Sequence, residues 1–347
     1  MRLELVDYLK KHPKVEKIAV KNPVFVIGFP RTGTTFLHEI LGLHPDVRMH
    51  YTWEQIEFVP RTSEESMEAF TKDRKLRYDS NQGEFGLLTS VAGEAIQSIH
   101  RVEYDAPEEC TTPCGMELPF NIPTIPFMPF AAKEVIAMGA KDAFPLYKQY
   151  LQLLTFQSPE RQSPFTWMLK CPFHLPYLSE LHATFPDATI VWTHRNPVEC
   201  IASACSLYET IMKISVDSWT IDKHALGSAV MEYSFLSLEK AIRSIEKAAK
   251  TMRIVHIRYA DNIKDPKAVC KQVMDMAELP YSDEYVGLLD DYMAESTKKR
   301  KAMKEKKAKE AAGGKAVELH SYSLEEYGLN TEIVLAKFDA YIAKYNL

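Results

Sequence analysis

Residues 23–48, PVFVIGFPRTGTTFLHEILGLHPDVR, constrain what this chain can fold into more than any other stretch. Pro23 to Ile27 is a short, β-branched apolar run of the kind buried in parallel sheets, and Gly33 to Leu43 carries apolar residues at helical spacing. Between them Gly28 and Gly33 enclose four residues and are followed by Thr34 and Thr35. The spacing follows the phosphate-loop pattern G-x-x-x-x-G-K-[ST], with threonine in place of the lysine. Glycines let the backbone turn tightly, and the first amides of the following helix then point at an anion with the helix dipole behind them. Without the lysine the loop lacks its usual grip on a terminal phosphate. Arg31 lies inside it instead, where a planar fork of donors can meet an anionic oxygen.

A chain of 347 residues with 46% apolar content has ample material for a sizeable core. Its net charge of −5 gives no basic excess, which argues against nucleic acid or an anionic membrane as a main partner. Cys110, Cys114, Cys171, Cys200, Cys205 and Cys270 form no C-x-x-C pair and no disulfide framework, so free thiols and no metal are expected. The N-terminal MRLELVDYLKKHPKVEK is a charged amphipathic lead-in, residues 1–20, with no signal-peptide core. With no run of about 18 apolar residues, the expectation is a cytoplasmic protein.

His44 to Arg48 reads as a turn. Residues 50–165 then show no clear strand: Glu64 to Lys72, Phe85 to His100 and Phe144 to Phe156 have helical spacing, as a helical insertion would. Within it ELPFNIPTIPFMPF, residues 117–130, has too many prolines for a regular helix or a central strand and suits an apolar wall or lid. From Phe165 strands and helices alternate. Thr166 to Leu169, Ala188 to Thr193 and Arg253 to Ile257 read as strands; Leu175 to Phe185, Val198 to Tyr208, much of Lys223 to Thr251, Asp265 to Ala277 and Thr331 to Asn346 read as helices. The fold class this predicts is α/β, a single domain with a P-loop-like parallel sheet flanked by helices and a large, mainly helical insertion.

In such sheets ligands sit beyond the carboxyl ends of the strands. Here one strand ends Leu169-Lys170-Cys171-Pro172-Phe173-His174 and another Thr193-His194-Arg195-Asn196-Pro197, leading into a helix with Ser203 and Ser206. A magnesium-dependent NTPase is expected to end a strand in a metal-holding aspartate. Lys170 and Arg195 stand there instead, favouring a polyanion held by cations without metal. Ser203 lies one or two turns into its helix, close enough to join a phosphate held by Arg195. A ligand phosphorylated at both ends would suit two such pockets.

These residues resemble a known family. FPRTGTTFLHEIL with HPDVR, WMLKCPFHLPYL and FPDATIVWTHRNPVECIAS are similar to the motifs of PAPS-dependent sulfotransferases, in the branch whose loop carries arginine. DAPEEC, the YLQLL helix and HSYSLEEYGL extend the resemblance over nearly the whole chain from about residue 22. It implies a sulfotransferase that moves the sulfuryl group of PAPS to a hydroxyl or amine of an acceptor, expected to be a small molecule. Gly33, Thr34 and Thr35, with Thr32 in the same loop, would cradle the 5′-phosphosulfate, and Arg31 would sit near its bridging oxygen. Arg195 and Ser203 would hold the 3′-phosphate, Lys170 would stabilise the transferred group and Phe36 would lie near adenine. Two residues compete for the general base, Glu54 in TWE, which is preferred, and His174 after the strand-end lysine. The basic run Lys298 to Lys309, in the 298–315 segment, reads as a solvated helix or a mobile segment, and the resemblance implies that Lys298, Lys299, Arg300 or Lys315 would order over the 3′-phosphate. The alternatives are a P-loop nucleotide kinase or NTPase, disfavoured by Thr34 and the missing carboxylate, and a nucleotide-binding protein that does not catalyse.

Overall fold

The computed structural model describes residues 1–99, 103–117, 122–158, 164–213, 216–312 and 322–347. Five parallel strands form one sheet: β1 Val24–Gly28, β2 Val47–Arg48, β3 Thr166–Lys170, β4 Thr189–His194 and β5 Arg253–Arg258, in the order β2-β3-β1-β4-β5. The apolar run at residues 23–27 becomes the central strand because both of its faces find partners. Phe25 and Ile27 enter a core with Leu169, Ile190 and Trp192 on one side of the sheet. Val24 and Val26 enter a second core with Met168 and Val191 on the other. A strand buried on both faces needs this unbroken apolar sequence, and each buried side chain contributes about 1.5–3 kcal/mol.

The first core is closed by helices Ala143–Phe156, Leu178–Thr184, Pro197–Met212, Lys223–Lys247 and Thr331–Tyr345. The second is closed by Thr34–Leu41, Pro266–Ala277 and the first turns of Asp283–Ala312, where the Tyr285 hydroxyl donates to the Ile40 carbonyl at 2.9 Å. Asp265 caps its helix as its DP sequence suggests, its carboxylate accepting from the Ala268 amide at 3.0 Å. All six cysteines are buried with free thiols. No described helix is long and apolar enough to cross a membrane.

Three sequence expectations are corrected. Val47 and Arg48, read as part of a turn, form the two-residue edge strand β2, opposite Thr166 and Trp167. Two residues are too few for any periodicity to reveal. The helices read at 64–72 and 85–100 are one continuous helix, Met67–Ile99, with residue 100 outside the described residues. Its middle escapes an apolar pattern because the side chains turned inward there are polar: buried Asp73 accepts from Arg77 Nε at 2.7 Å and from the Arg61 amide at 2.9 Å. The proline-rich stretch contains a 3₁₀ helix, Ile122–Ala131, while residues 118–121 lie outside the described residues. A shorter revision concerns residues 175–185, where a 3₁₀ turn, Pro172–Tyr177, precedes the α-helix.

Candidate active site

β1 lies between β3 and β4, so the chain leaves the sheet at residue 28 at the point where the strand order reverses, the place where open parallel sheets form a crevice. Gly28 is required there by close approach: a Cβ would stand 2.2 Å from Thr193 Oγ1, 2.6 Å from Thr32 Oγ1 and 2.9 Å from the Thr193 carbonyl. The Thr32 and Thr193 hydroxyls meet at 2.6 Å, and Thr32 Oγ1 also donates to the Phe29 carbonyl at 2.7 Å. Buried Thr32 therefore ties the loop to β4. Gly33 caps the Thr34–Leu41 helix with φ 87°, left-handed backbone that favours glycine. The first-turn amides of that helix lack intrahelical partners and face out of the loop, with Thr34 buried and Thr35 exposed.

Arg31 takes the left-handed conformation without being glycine, at φ 74°. Its Nε donates to Ser203 Oγ at 3.0 Å, and its carbonyl accepts from Arg195 Nη1 at 3.0 Å. Arg195 in turn is held by Glu199 Oε2 at 2.9 Å and lies 4.1 Å over the Tyr259 ring. The phosphate loop, the end of β4 and the helix Pro197–Met212 are thus joined through two guanidinium groups and one buried hydroxyl. Tyr259, which opens the short helix Tyr259–Lys264 after β5, also closes on the loop: a Cβ on Gly33 would stand 2.9 Å from its ring. The sequence reading missed this tyrosine, since no local pattern distinguishes it.

Lys170 ends β3 beside β1, opposite Val26 in register. Its ammonium is buried and donates to Glu109 Oε1 at 2.7 Å. Burial opposes the charge, the Glu109 and Glu108 carboxylates outweigh it, and the pKa is raised. The carboxylates arrive because residues 106–110 cross the ends of two strands. Glu108 N donates to the His50 carbonyl at 3.2 Å and Cys110 N to the Lys170 carbonyl at 3.0 Å. His38 and His50 lie nearby with pKa values lowered to about 3, chiefly by burial, so neither is a cation at neutral pH. Glu108 and Glu109 had a sequence signal in DAPEEC, but Glu109 stands 61 positions from Lys170 and nothing local pairs them.

The two candidate bases, Glu54 and His174, are both buried. Glu54 is buried, with Oε1 accepting from Arg48 Nη2 at 2.7 Å and Arg74 Nη2 at 3.2 Å, and Oε2 accepting from the Tyr51 amide at 3.0 Å. Arg48 stacks 4.4 Å over Trp167, its partner in register, three residues before Lys170. Three residues is about 10 Å along a strand. Glu54 faces a separate cavity of 360 Å³ with Gly42, Asp46, Arg74 and Phe165 in its walls. His174 is fully buried among Phe25, Phe144 and Tyr147, and burial lowers its pKa to about 3. Phe36 is half-buried with its ring 6.4 Å from that of Tyr292. Lys298, Lys299 and Arg300 fall in the helix Asp283–Ala312, and Lys315 lies outside the described residues. Among the described residues no group of three or more His, Cys, Asp or Glu is placed to hold a metal ion.

A family model described as "Sulfotransferase family" matches residues 23–283. Among solved structures the chain is similar to sulfotransferase STF9 from Mycobacterium avium, at 24% identity and a TM-score of 0.76, over 99% of this chain and 82% of that one. It is also similar to sulfotransferase STF1 from Mycobacterium tuberculosis H37Rv, at 24% identity and a TM-score of 0.69, over 97% of this chain and 82% of that one. At these identities the likeness is one of fold. No curated protein matches the chain in sequence.

Proposed function

The chain belongs to the sulfotransferase family and is an enzyme that moves a sulfuryl group from a donor to an acceptor, and from that premise we propose that its donor is 3′-phosphoadenosine 5′-phosphosulfate, PAPS, and its acceptor a small molecule. The observation that carries the reading is the link from Arg31 through Ser203 and the Arg31 carbonyl to Arg195, which gathers two guanidinium groups around one loop. The residues fit a doubly phosphorylated nucleotide. The Gly33–Thr34–Thr35 turn, left-handed at Gly33, presents helix amides to the 5′ group, with Thr32 fixing the loop from behind. Arg195 and Ser203 hold the 3′-phosphate, and Tyr259 holds the Arg195 guanidinium over its ring. Phe36 offers an aromatic edge for the base.

When bound, PAPS supplies an activated sulfuryl group whose transfer builds negative charge on the bridging oxygen. Arg31 and Lys170 are the fixed cations for that charge, and such preorganisation lowers a barrier without reorganisation at the moment of reaction. Residues 50–165 form the acceptor side. The exposed rings of Phe127 and Phe130, on a 3₁₀ segment packed against the helix that carries Ser203, give the acceptor an apolar wall. A net charge of −5 suits a small acceptor better than a nucleic acid.

Calorimetric titration with 3′,5′-ADP beside ATP, each with and without magnesium, tests the reading. Tight, magnesium-independent binding of the bisphosphate is expected. Arg195→Ala should weaken 3′,5′-ADP by about 10–100-fold, the worth of a charge-assisted hydrogen bond, while leaving 5′-AMP nearly unchanged. Magnesium-dependent ATP binding with the bisphosphate ignored would replace the sulfotransferase site by that of a kinase or NTPase.

A further inference from the structure

Glu54 is held by two arginines and an amide at the flank of the sheet, and His174 is enclosed by aromatic rings. The strand rim nevertheless carries a carboxylate. Glu109 is brought there by the crossing segment, its Oε1 2.7 Å from Lys170 Nζ and its Oε2 3.5 Å from Thr111 Oγ1, and its side chain keeps 14% of its surface exposed. A base must lie within hydrogen-bond reach of the reacting group, and one next to the cation that meets the sulfuryl group satisfies that geometry.

We propose that Glu109 is the general base of sulfuryl transfer and that Lys170 holds it engaged until the donor is bound. The inference rests on the PAPS reading above. The Lys170 ammonium has Glu109 as its hydrogen-bonded anion; a phosphosulfate in the loop would offer a second one. As Lys170 turns toward the sulfuryl oxygens, a Glu109 oxygen is released toward the acceptor. Glu109 then takes the acceptor's O–H or N–H proton as that oxygen or nitrogen bonds to sulfur. The bond between sulfur and the nucleotide's bridging oxygen breaks, and its electron pair stays on the 5′-phosphate of 3′,5′-ADP, beside Arg31. No oxidant, reductant or metal is needed for this balance.

The groups around Glu109 suit the role. Cys110 has a thiol pKa pushed up to about 12 by burial, and burial likewise raises those of Cys171 and Tyr208 well above their ordinary values. These neighbours stay neutral, leaving Lys170 as the described cation in contact and Glu108 as the neighbouring anion. Glu108 is oriented differently, its Oε1 accepting the Glu109 amide at 2.6 Å. It therefore positions the backbone of Glu109, and the pair divides into a positioning residue and a base.

The test compares wild type, Glu109→Gln, Glu109→Asp and Glu108→Gln by two measurements. One is calorimetric binding of 3′,5′-ADP. The other is transfer from PAPS to water, read as inorganic sulfate release, alongside transfer to 4-nitrophenol and 2-naphthol. Glu109→Gln should bind 3′,5′-ADP as tightly as wild type or several-fold more tightly, because Lys170 loses its competing anion, while transfer falls by about 10²–10⁴-fold. Glu109→Asp should recover part of the rate, and Glu108→Gln should keep more rate than Glu109→Gln. Transfer by Glu109→Gln within about threefold of wild type overturns the proposal. So does a tenfold or greater loss of 3′,5′-ADP affinity in that variant, which would make Glu109 a support for Lys170. Wild-type protein that ignores 3′,5′-ADP is a different failure, one that removes the PAPS reading itself.

Discussion

Arg31 combines two demands that chemistry rarely makes of one residue. Its side chain is the loop's cation, and its backbone at φ 74° is a conformation that favours glycine. Holding a non-glycine residue there costs about 1–3 kcal/mol. The conflict gives a clean separation of roles. Arg31→Gly should lose about 10²–10³-fold in sulfuryl transfer, as for removal of one preorganised donor, while matching or exceeding wild-type stability. Arg31→Ala should lose the same activity without the stability gain. Thermal melts of both variants beside transfer assays check this; equal stabilities would show that the loop is not strained at residue 31. Gly28 is the opposite case, since its neighbours Thr32 and Thr193 leave no space for a Cβ and its identity is dictated by packing.

At the scale of elements, the helix Pro197–Met212 carries the site and also anchors the C-terminal part of the chain. Ser203 faces the loop, and two turns on Glu209 accepts from Tyr327 Oη at 2.7 Å, with Lys213 at 2.7 Å and Lys223 at 3.2 Å. Burial works against the Glu209 charge, but these donors overcome it and its pKa is lowered. Tyr327 is brought there by contact with the helix Lys223–Lys247 at Gly227, where a Cβ would stand 2.1 Å from the Tyr327 carbonyl. Backbone meets backbone at that point, so no rotamer change relieves a larger residue. Gly227→Ala should destabilise the protein by about 1–3 kcal/mol and expose the 322–347 segment to protease. Urea unfolding combined with limited proteolysis reads both effects, and wild-type behaviour in both would remove the docking argument.

For the molecule as a whole, several buried histidines make acid stability a property of the core. His38, His50 and His174 have pKa values lowered to about 3 and His194 to about 2, in each case chiefly by burial. Unfolded histidine titrates near 6.5, so below that pH the unfolded chain binds protons that the folded chain refuses, and stability falls as pH falls. Each such group costs up to about 1.4 kcal/mol per pH unit well below 6.5, and because unfolded histidine is half protonated at pH 6.5 the four together remove about 4 kcal/mol between pH 6.5 and 5.5, a large part of an ordinary domain's stability. Above about pH 7.5 they leave the profile nearly flat. Urea unfolding at pH 8.5, 7.5, 6.5 and 5.5 should show little change across the first interval and a loss that steepens toward the last. A level profile down to pH 5.5 would mean that these rings are protonated in the folded state.

Local sequence was enough wherever the decisive contacts run along the chain. Pro23 to Ile27 read as a buried strand because both faces are apolar, the glycines marked the turn that follows, and alternating strands and helices implied a parallel α/β sheet. Arg195 and Ser203 share one strand-to-helix junction that the sequence marks, while the partner Ser203 meets in the structure is Arg31 Nε at 3.0 Å. What lay beyond reach came from distant segments meeting. β2 is two residues long and exists through its pairing with β3. Asp73 and Arg77 look like a solvated helix face until their burial is seen. Glu54 meets Arg48 and Arg74, and His174 meets three aromatic rings, partners that neither motif announces. Glu109 reaches Lys170 only because a crossing segment bonds to the ends of β2 and β3. Residue type and spacing determine which face of an element is apolar and where a backbone can turn. Tertiary packing decides which side chain from a remote segment fills the space opposite, and so which carboxylate stands beside the cation.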